Sequence, residues 1–186
     1  MDLRSGDALL IVDMQNDFCP GGALGVPEGD QIIPELNDLM AEAARLHIPV
    51  FATRDWHPSN HISFKQRGGI WPPHCIQETF GAEFHSRLEW PKGTVIVSKA
   101  TGPDTESYSA FGDTDLAQRL RTLNIERIWV AGLALDYCVK ETALDGKRLG
   151  FDVHVLEGLT RSVNVAPDDG RQAVATMTSS GVMVER

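Results

Sequence analysis

Six short apolar runs recur along the chain, at residues 8–12, 49–54, 94–98, 128–131, 151–156 and 182–184. Continuous apolar runs of this length suit strands buried on both faces of a parallel sheet. Between them the apolar positions return at helical spacing. Ile32, Ile33, Leu36, Leu39, Met40 and Ala43 predict a helix over 30–47, with Pro34 in its first turn, where proline is tolerated. Residues 115–123 and 167–179 read as helices as well. Val139, Thr142, Ala143 and Leu149 define another, with Asp136 placed as its N-cap. Strands alternating with helices predict an α/β protein: a doubly wound, mostly parallel sheet of about six strands with helices on both faces.

One stretch breaks the alternation. Residues 58–93 hold four prolines and no periodic run, yet carry Phe64, Trp71, Phe80, Phe84 and Trp90. Long connections inside compact domains are usually functional, and aromatic content argues against disorder. We therefore expect an ordered excursion over a site, within a single domain spanning 1–186.

Composition narrows the function. The net charge is −9 and no basic run appears, which argues against a nucleic-acid surface. No apolar run approaches membrane-spanning length, and no signal-peptide pattern opens the sequence. The cysteines Cys19, Cys75 and Cys138 are odd in number and far apart. The expectation is a cytoplasmic protein with reduced thiols and a small-molecule substrate, with self-association left open.

Candidate chemistry collects where strands end. Asp13, Asp55 and Lys99 each follow an apolar run directly, and Cys138 stands one turn into the helix after the fourth run. In an open α/β sheet these positions share the carboxyl edge, where ligands bind. An ammonium and a helix N-terminus favour a thiolate, and a carboxylate can take and return its proton. That set would make an activated nucleophile; the alternatives are solvated strand ends and a buried structural cysteine. Asp55 and His57 are one residue apart, so extended backbone points both side chains the same way. Two prolines in Trp71-Pro72-Pro73-His74 stiffen the approach of His74. With His61 nearby, an aspartate and two or three histidines suit zinc, iron or manganese, structural histidines being the alternative. His47, His85 and His154 receive no role. The glycines after Pro20 lack the spacing of a dinucleotide-binding loop.

Five separated motifs carry a family resemblance: residues 11–18 (Ile-Val-Asp-Met-Gln-Asn-Asp-Phe), 54–58 (Arg-Asp-Trp-His-Pro), 71–75 (Trp-Pro-Pro-His-Cys), Ser98-Lys99, and 132–138 (Gly-Leu-Ala-Leu-Asp-Tyr-Cys). In this order the chain resembles the nicotinamidases (pyrazinamidases) among the isochorismatase-like cysteine hydrolases. The resemblance implies that fold, and hydrolysis of nicotinamide to nicotinate and ammonia through a cysteine thioester, with pyrazinamide as a further substrate. It implies Asp13, Lys99 and Cys138 as catalytic residues and the backbone N–H groups of Ala134 and Cys138 as the oxyanion hole. Further implied are a cis Leu133–Ala134 peptide and a ring pocket of Phe18, Trp71 and Tyr108. Asp55, His57 and His74 are implied to hold one divalent metal, Zn2+ before Fe2+ or Mn2+, with His61 matching a position that is a ligand in only some members. Leu135 departs from the family, which commonly has threonine there, and this bears on specificity. A related amidohydrolase acting on a carbamoyl or ureido compound is the alternative, but it leaves the metal cluster without a task.

Overall fold

A computed structural model describes residues 2–186. Its centre is a six-stranded sheet: β1 (Asp7–Val12), β2 (Val50–Asp55), β3 (Val95–Lys99), β4 (Arg127–Leu133), β5 (Asp152–Arg161) and β6 (Met183–Glu185). Spatially the strands run β3-β2-β1-β4-β5-β6, and every neighbouring pair is parallel. The helices are α1 (Ile33–Arg45), α2 (Leu116–Thr122), α3 (Lys140–Arg148) and α4 (Asp169–Ser179).

The apolar runs explain the layers. Successive side chains of a strand point to opposite faces, and all six residues of β1 are buried. Ala8, Leu10 and Val12 join one core with Leu116 and Leu120 of α2, Ala143 of α3 and Met177 of α4. Leu9 and Ile11 join the other, against Ile33, Leu36 and Met40 of α1. Burying one such side chain is worth about 1.5–3 kcal/mol, so a central strand apolar on both faces anchors the fold.

The order of the strands places the site. The chain leaves β1 outward through β2 and β3, then returns to β4 on the other side of β1. Where the winding reverses, the carboxyl ends of β1 and β4 open a crevice, the usual binding position in such sheets.

Three local expectations change. β5 runs to Arg161, beyond the predicted end at 156, because a register shift lets Gly132 pair with Thr160 after Val130 has paired with Val155. The apolar signal stops before the bulge, at Leu156. Cys138 lies in a π-helical turn, Leu135–Val139, that precedes α3, so it is not in the first turn of an α-helix. Asp136 lies inside that turn and makes no cap hydrogen bond. The excursion is ordered by short 3₁₀ turns at Lys65–Arg67 and Phe80–Ala82. Isolated bridges of Gln15 with Phe84, His57 with Ile76 and Phe64 with Trp71 pin it down. Among the described residues no helix is long and apolar enough to cross a membrane.

At the opposite edge, Asp7 is 2% exposed and accepts hydrogen bonds from Arg127 Nε (2.8 Å) and Nη2 (2.7 Å), Trp129 Nε1 (3.0 Å) and the Arg4 N–H (2.9 Å). Burial raises its pKa, but these donors outweigh it and hold the carboxyl below its ordinary 3.8. A group depressed by folding stabilises fully above its unfolded pKa and loses that contribution as pH falls through its folded value. Asp7→Asn should therefore destabilise by about 3 kcal/mol at pH 7, as expected when one partner of a buried pair is removed. Urea unfolding at pH 7 and at pH 3 checks this. The wild-type advantage should be full above about pH 4 and should shrink below it.

Candidate active site

The ends of three strands deliver three charged groups to one point. Asp55 and Lys99 are the last residues of β2 and β3 and pair in register. Asp13 follows β1 directly with a left-handed φ of +47°. Thr53 of β2 holds it: the Asp13 N–H donates to the Thr53 carbonyl (3.2 Å), and Thr53 Oγ1 donates to Asp13 Oδ1 (2.7 Å). Lys99 Nζ then reaches Asp13 Oδ2 (3.0 Å), Asp55 Oδ1, the Ser107 carbonyl (3.4 Å) and Cys138 Sγ (3.5 Å). The sequence expectation placed Asp13, Lys99 and Cys138 at one edge, and the structure brings them into contact. Although Asp13 Oδ2 is within ion-pair distance of Lys99, it accepts no directed hydrogen bond. It is the sole buried side-chain oxygen or nitrogen without one among the described residues. An oxygen of Asp13 lies within 4.8 Å of Cys138 Sγ.

These groups set each other's ionisation. Burial works against the charge on Lys99, but Asp13 and Asp55 outweigh it and raise its pKa, so it stays an ammonium. Burial raises Asp13 above the ordinary carboxyl value, with Lys99 pulling the other way. Burial also pushes the Cys138 thiol well up, and Asp13 and Asp55 add to this against the pull of Lys99. Burial therefore works against the thiolate that the sequence expectation placed here, and Lys99 is the one neighbour that favours it.

The turn after β4 carries the thiol. Gly132 has φ +110°, and a Cβ there would stand 2.2 Å from the Val12 carbonyl oxygen, so only glycine lets β4 approach β1 here. The Leu133–Ala134 peptide is cis. The Tyr137 and Val139 N–H groups both donate to the Ala134 carbonyl at 3.1 Å. Asp136 Oδ1 and Oδ2 accept from the Val163 (2.9 Å) and Asn164 (2.8 Å) N–H groups, tying the turn to the chain beyond β5. Leu135 packs into the core with Val12 and Val139 and does not line the pocket described below. Its departure from the family therefore falls outside the ring pocket.

Beside the thiol, one oxygen of Asp55 and nitrogens of His57 and His74 lie within 4.8 Å of one another. Each histidine turns Nδ1 to a backbone carbonyl, His57 to Ala100 (3.2 Å) and His74 to Pro72 (2.8 Å). Their Nε2 atoms then face Asp55 Oδ2 at 3.5 and 4.0 Å. Orienting a ligand histidine through its other nitrogen is the usual support for a metal. Burial lowers His74, favouring the neutral imidazole that ligates. Burial opposes ionisation of Asp55, but Lys99 and His57 outweigh it and hold the carboxyl well below the usual range. This donor set fits a divalent metal. His61 stands apart from it. Its Nδ1 pairs with Ser63 Oγ (2.7 Å) and its Nε2 with the Thr105 carbonyl (2.8 Å), and its ring stacks on His57 at 4.1 Å. In this geometry it packs behind His57 and offers no free nitrogen.

Between thiol and histidine is a small, mainly apolar pocket. Phe18, Trp71 and Tyr108 line it as expected, with Cys138 and His74 at its polar side. Trp71 Nε1 donates to Tyr108 Oη (2.9 Å), and burial pushes the Tyr108 phenol up to about 12. Tyr137 and Val163 also form its wall and had no signal of their own, since their placement depends on the turn and on Asp136. Thr53 was equally silent, because threonine is ordinary in strands. A larger cavity, about 580 Å³, lies at the other edge beside Asp7, Pro49 and Thr94, and no cysteine lines it.

With this geometry, family comparison is decisive. The isochorismatase domain family matches residues 7–185. The chain belongs to that family. The curated nicotinamidase of Escherichia coli (strain K12) is 40% identical over 195 residues, covering 94% of this chain and 92% of its own. Among solved structures, the pyrazinamidase of Pyrococcus horikoshii in complex with zinc is 48% identical with a TM-score of 0.93, over 97% of this chain and 99% of that one. PnC1 from L. infantum in complex with nicotinate is 36% identical with a TM-score of 0.91, over 100% and 96%.

The electrostatics make a direct prediction. Alkylation of Cys138 in metal-free protein should rise with pH to a midpoint above the ordinary thiol value of 9.0. Lys99→Ala should move the midpoint higher and Asp13→Asn lower, because the ammonium favours the thiolate and the carboxylate opposes it. Peptide mass spectrometry at Cys138 against pH reads this. An unchanged or lower midpoint in Lys99→Ala would show that the lysine does not act on the thiol.

Proposed function

We propose that this chain is a nicotinamidase, hydrolysing nicotinamide to nicotinate and ammonia, with pyrazinamide as a further substrate. The observation carrying the reading is one pocket walled by aromatics, with a Cys138–Lys99–Asp13 cluster on one side and an Asp55–His57–His74 ligand set on the other. A pyridine carboxamide has the matching parts: a flat ring, a ring nitrogen and a scissile amide. The alternative carbamoyl or ureido substrate has no group for the histidine side.

Cys138 attacks the carboxamide carbon as its thiol proton passes to Asp13 Oδ2, the oxygen left without a directed hydrogen bond. Thr53 occupies Oδ1 and so leaves that oxygen for the transfer. The backbone N–H groups of Ala134 and Cys138 receive the developing oxyanion, an interaction whose loss commonly lowers kcat by about 10²–10³. Asp13 gives the proton to departing ammonia, leaving a thioester on Cys138. It then takes a proton from the attacking water, and nicotinate leaves as the thiol re-forms. Lys99 stays charged throughout and steadies whichever of Asp13 and Cys138 is anionic. A divalent ion, for which we favour zinc, would supply a Lewis-acidic anchor that orients the pyridine ring.

Ammonia release from nicotinamide tests the reading. Cys138→Ala should lose activity by about 10⁴-fold or more while melting near the wild-type temperature. Chelation should raise KM for nicotinamide steeply yet leave alkylation of Cys138 within about threefold of the untreated rate. Benzamide, which lacks the ring nitrogen, should gain little from metal. Wild-type turnover in Cys138→Ala would end the cysteine-hydrolase reading.

A further inference from the structure

The loop after Asp13 does more than connect. Gln15 is fully buried, and its side-chain amide brackets the backbone of Asp55. Oε1 accepts the Asp55 N–H (2.8 Å), while Nε2 donates to the Asp55 carbonyl (2.7 Å) and to the Ala82 carbonyl (3.0 Å). β1 ends at Val12, so Asp55 has no strand neighbour on this side. Gln15 supplies both missing partners with one side chain.

Two residues later Asp17 does the same for the second ligand-bearing segment. Its Oδ2 accepts the Cys75 N–H (2.7 Å) and its Oδ1 accepts the Ala23 N–H (3.2 Å). Cys75 directly follows His74 and has a left-handed φ of +45°, a conformation that non-glycine residues hold only with outside support. Gly81 makes room for the carboxylate: a Cβ there would stand 2.2 Å from Asp17 Oδ2. Prolines 72 and 73 stiffen the approach to His74, and Asp17 fixes its exit.

We propose that Gln15 and Asp17 are positioning residues for the metal site, setting the separation of Asp55 and His74 from the loop that also carries Asp13. Neither is a ligand: both Asp17 oxygens and the Gln15 amide are engaged with backbone. The loop that follows Asp13 thereby holds the backbone of both ligand-bearing segments. Outer partners of this kind typically account for 10–100-fold in metal affinity. The inference rests on the metal-site reading above.

The test is Zn2+ titration of the metal-free protein against a chromophoric chelator, with KM and kcat for nicotinamide measured alongside. Gln15→Glu keeps the size and loses the two donated hydrogen bonds. Asp17→Ala loses both acceptors, and Asp17→Asn keeps one for the Cys75 N–H. Zinc affinity should fall about 10–100-fold in Gln15→Glu and Asp17→Ala and by less in Asp17→Asn. KM should rise in step, and kcat at saturating substrate should stay within about threefold. Cys75→Ala retains its N–H and should bind zinc as the wild type does. Wild-type zinc affinity in folded Gln15→Glu and Asp17→Ala would overturn the proposal. So would a loss in Cys75→Ala equal to that in Asp17→Ala, which would place the effect in packing around the thiol. If Asp17→Ala melts below the assay temperature, Asp17→Asn decides by the same readout, undiminished affinity counting against the proposal. A wild type that takes up no zinc would instead remove the metal-site reading itself.

Discussion

A single buried ammonium holds this site together. Lys99 touches a carboxylate from the end of β1, another from the end of β2 and the thiol that follows β4. Without it, two carboxylates and a thiol would share a dry pocket, and burying unpaired charge costs several kcal/mol per ion. With it, the Asp55 carboxyl is held well below the usual range, while at Asp13 Lys99 opposes the upward push of burial. The proposed catalytic and ligand halves of the site are thus two sides of one ion cluster. Disturbing either carboxylate should be felt by the other through Lys99.

Much of this was legible because it is local. Apolar runs mark buried strands, and the residue that ends such a run in a parallel sheet stands at the carboxyl edge; Asp13, Asp55 and Lys99 are found that way. The aromatic content of residues 58–93 likewise indicated an ordered excursion. What stayed hidden depends on partners distant in sequence. Asp136 resembles a helix cap locally, but its carboxylate is taken by Val163 and Asn164. His61 resembles a ligand until Ser63 and Thr105 occupy both nitrogens. Thr53, Gln15 and Asp17 act across 40 to 58 residues of chain, and nothing in their immediate surroundings announces it.

The thiol shows why proximity in sequence misleads about chemistry. A cysteine near the start of a helix suggests a thiolate, yet burial and two carboxylates beside it push the thiol up against the pull of Lys99. The arrangement then makes sense as a proton exchange triggered by substrate. Asp13 Oδ2 lacks a directed donor, and Thr53 keeps the other oxygen occupied.

The central claim is that bond breaking proceeds through a covalent intermediate on Cys138, with the histidine side serving only to place the ring. Acid quenching during steady turnover of nicotinamide, followed by peptide mass spectrometry, tests it most directly. The account predicts one nicotinoyl group on the Cys138 peptide and none on the Cys19 or Cys75 peptides, and it predicts that the adduct disappears when substrate is exhausted. Undiminished ammonia release from an enzyme whose Cys138 has been quantitatively alkylated would contradict it.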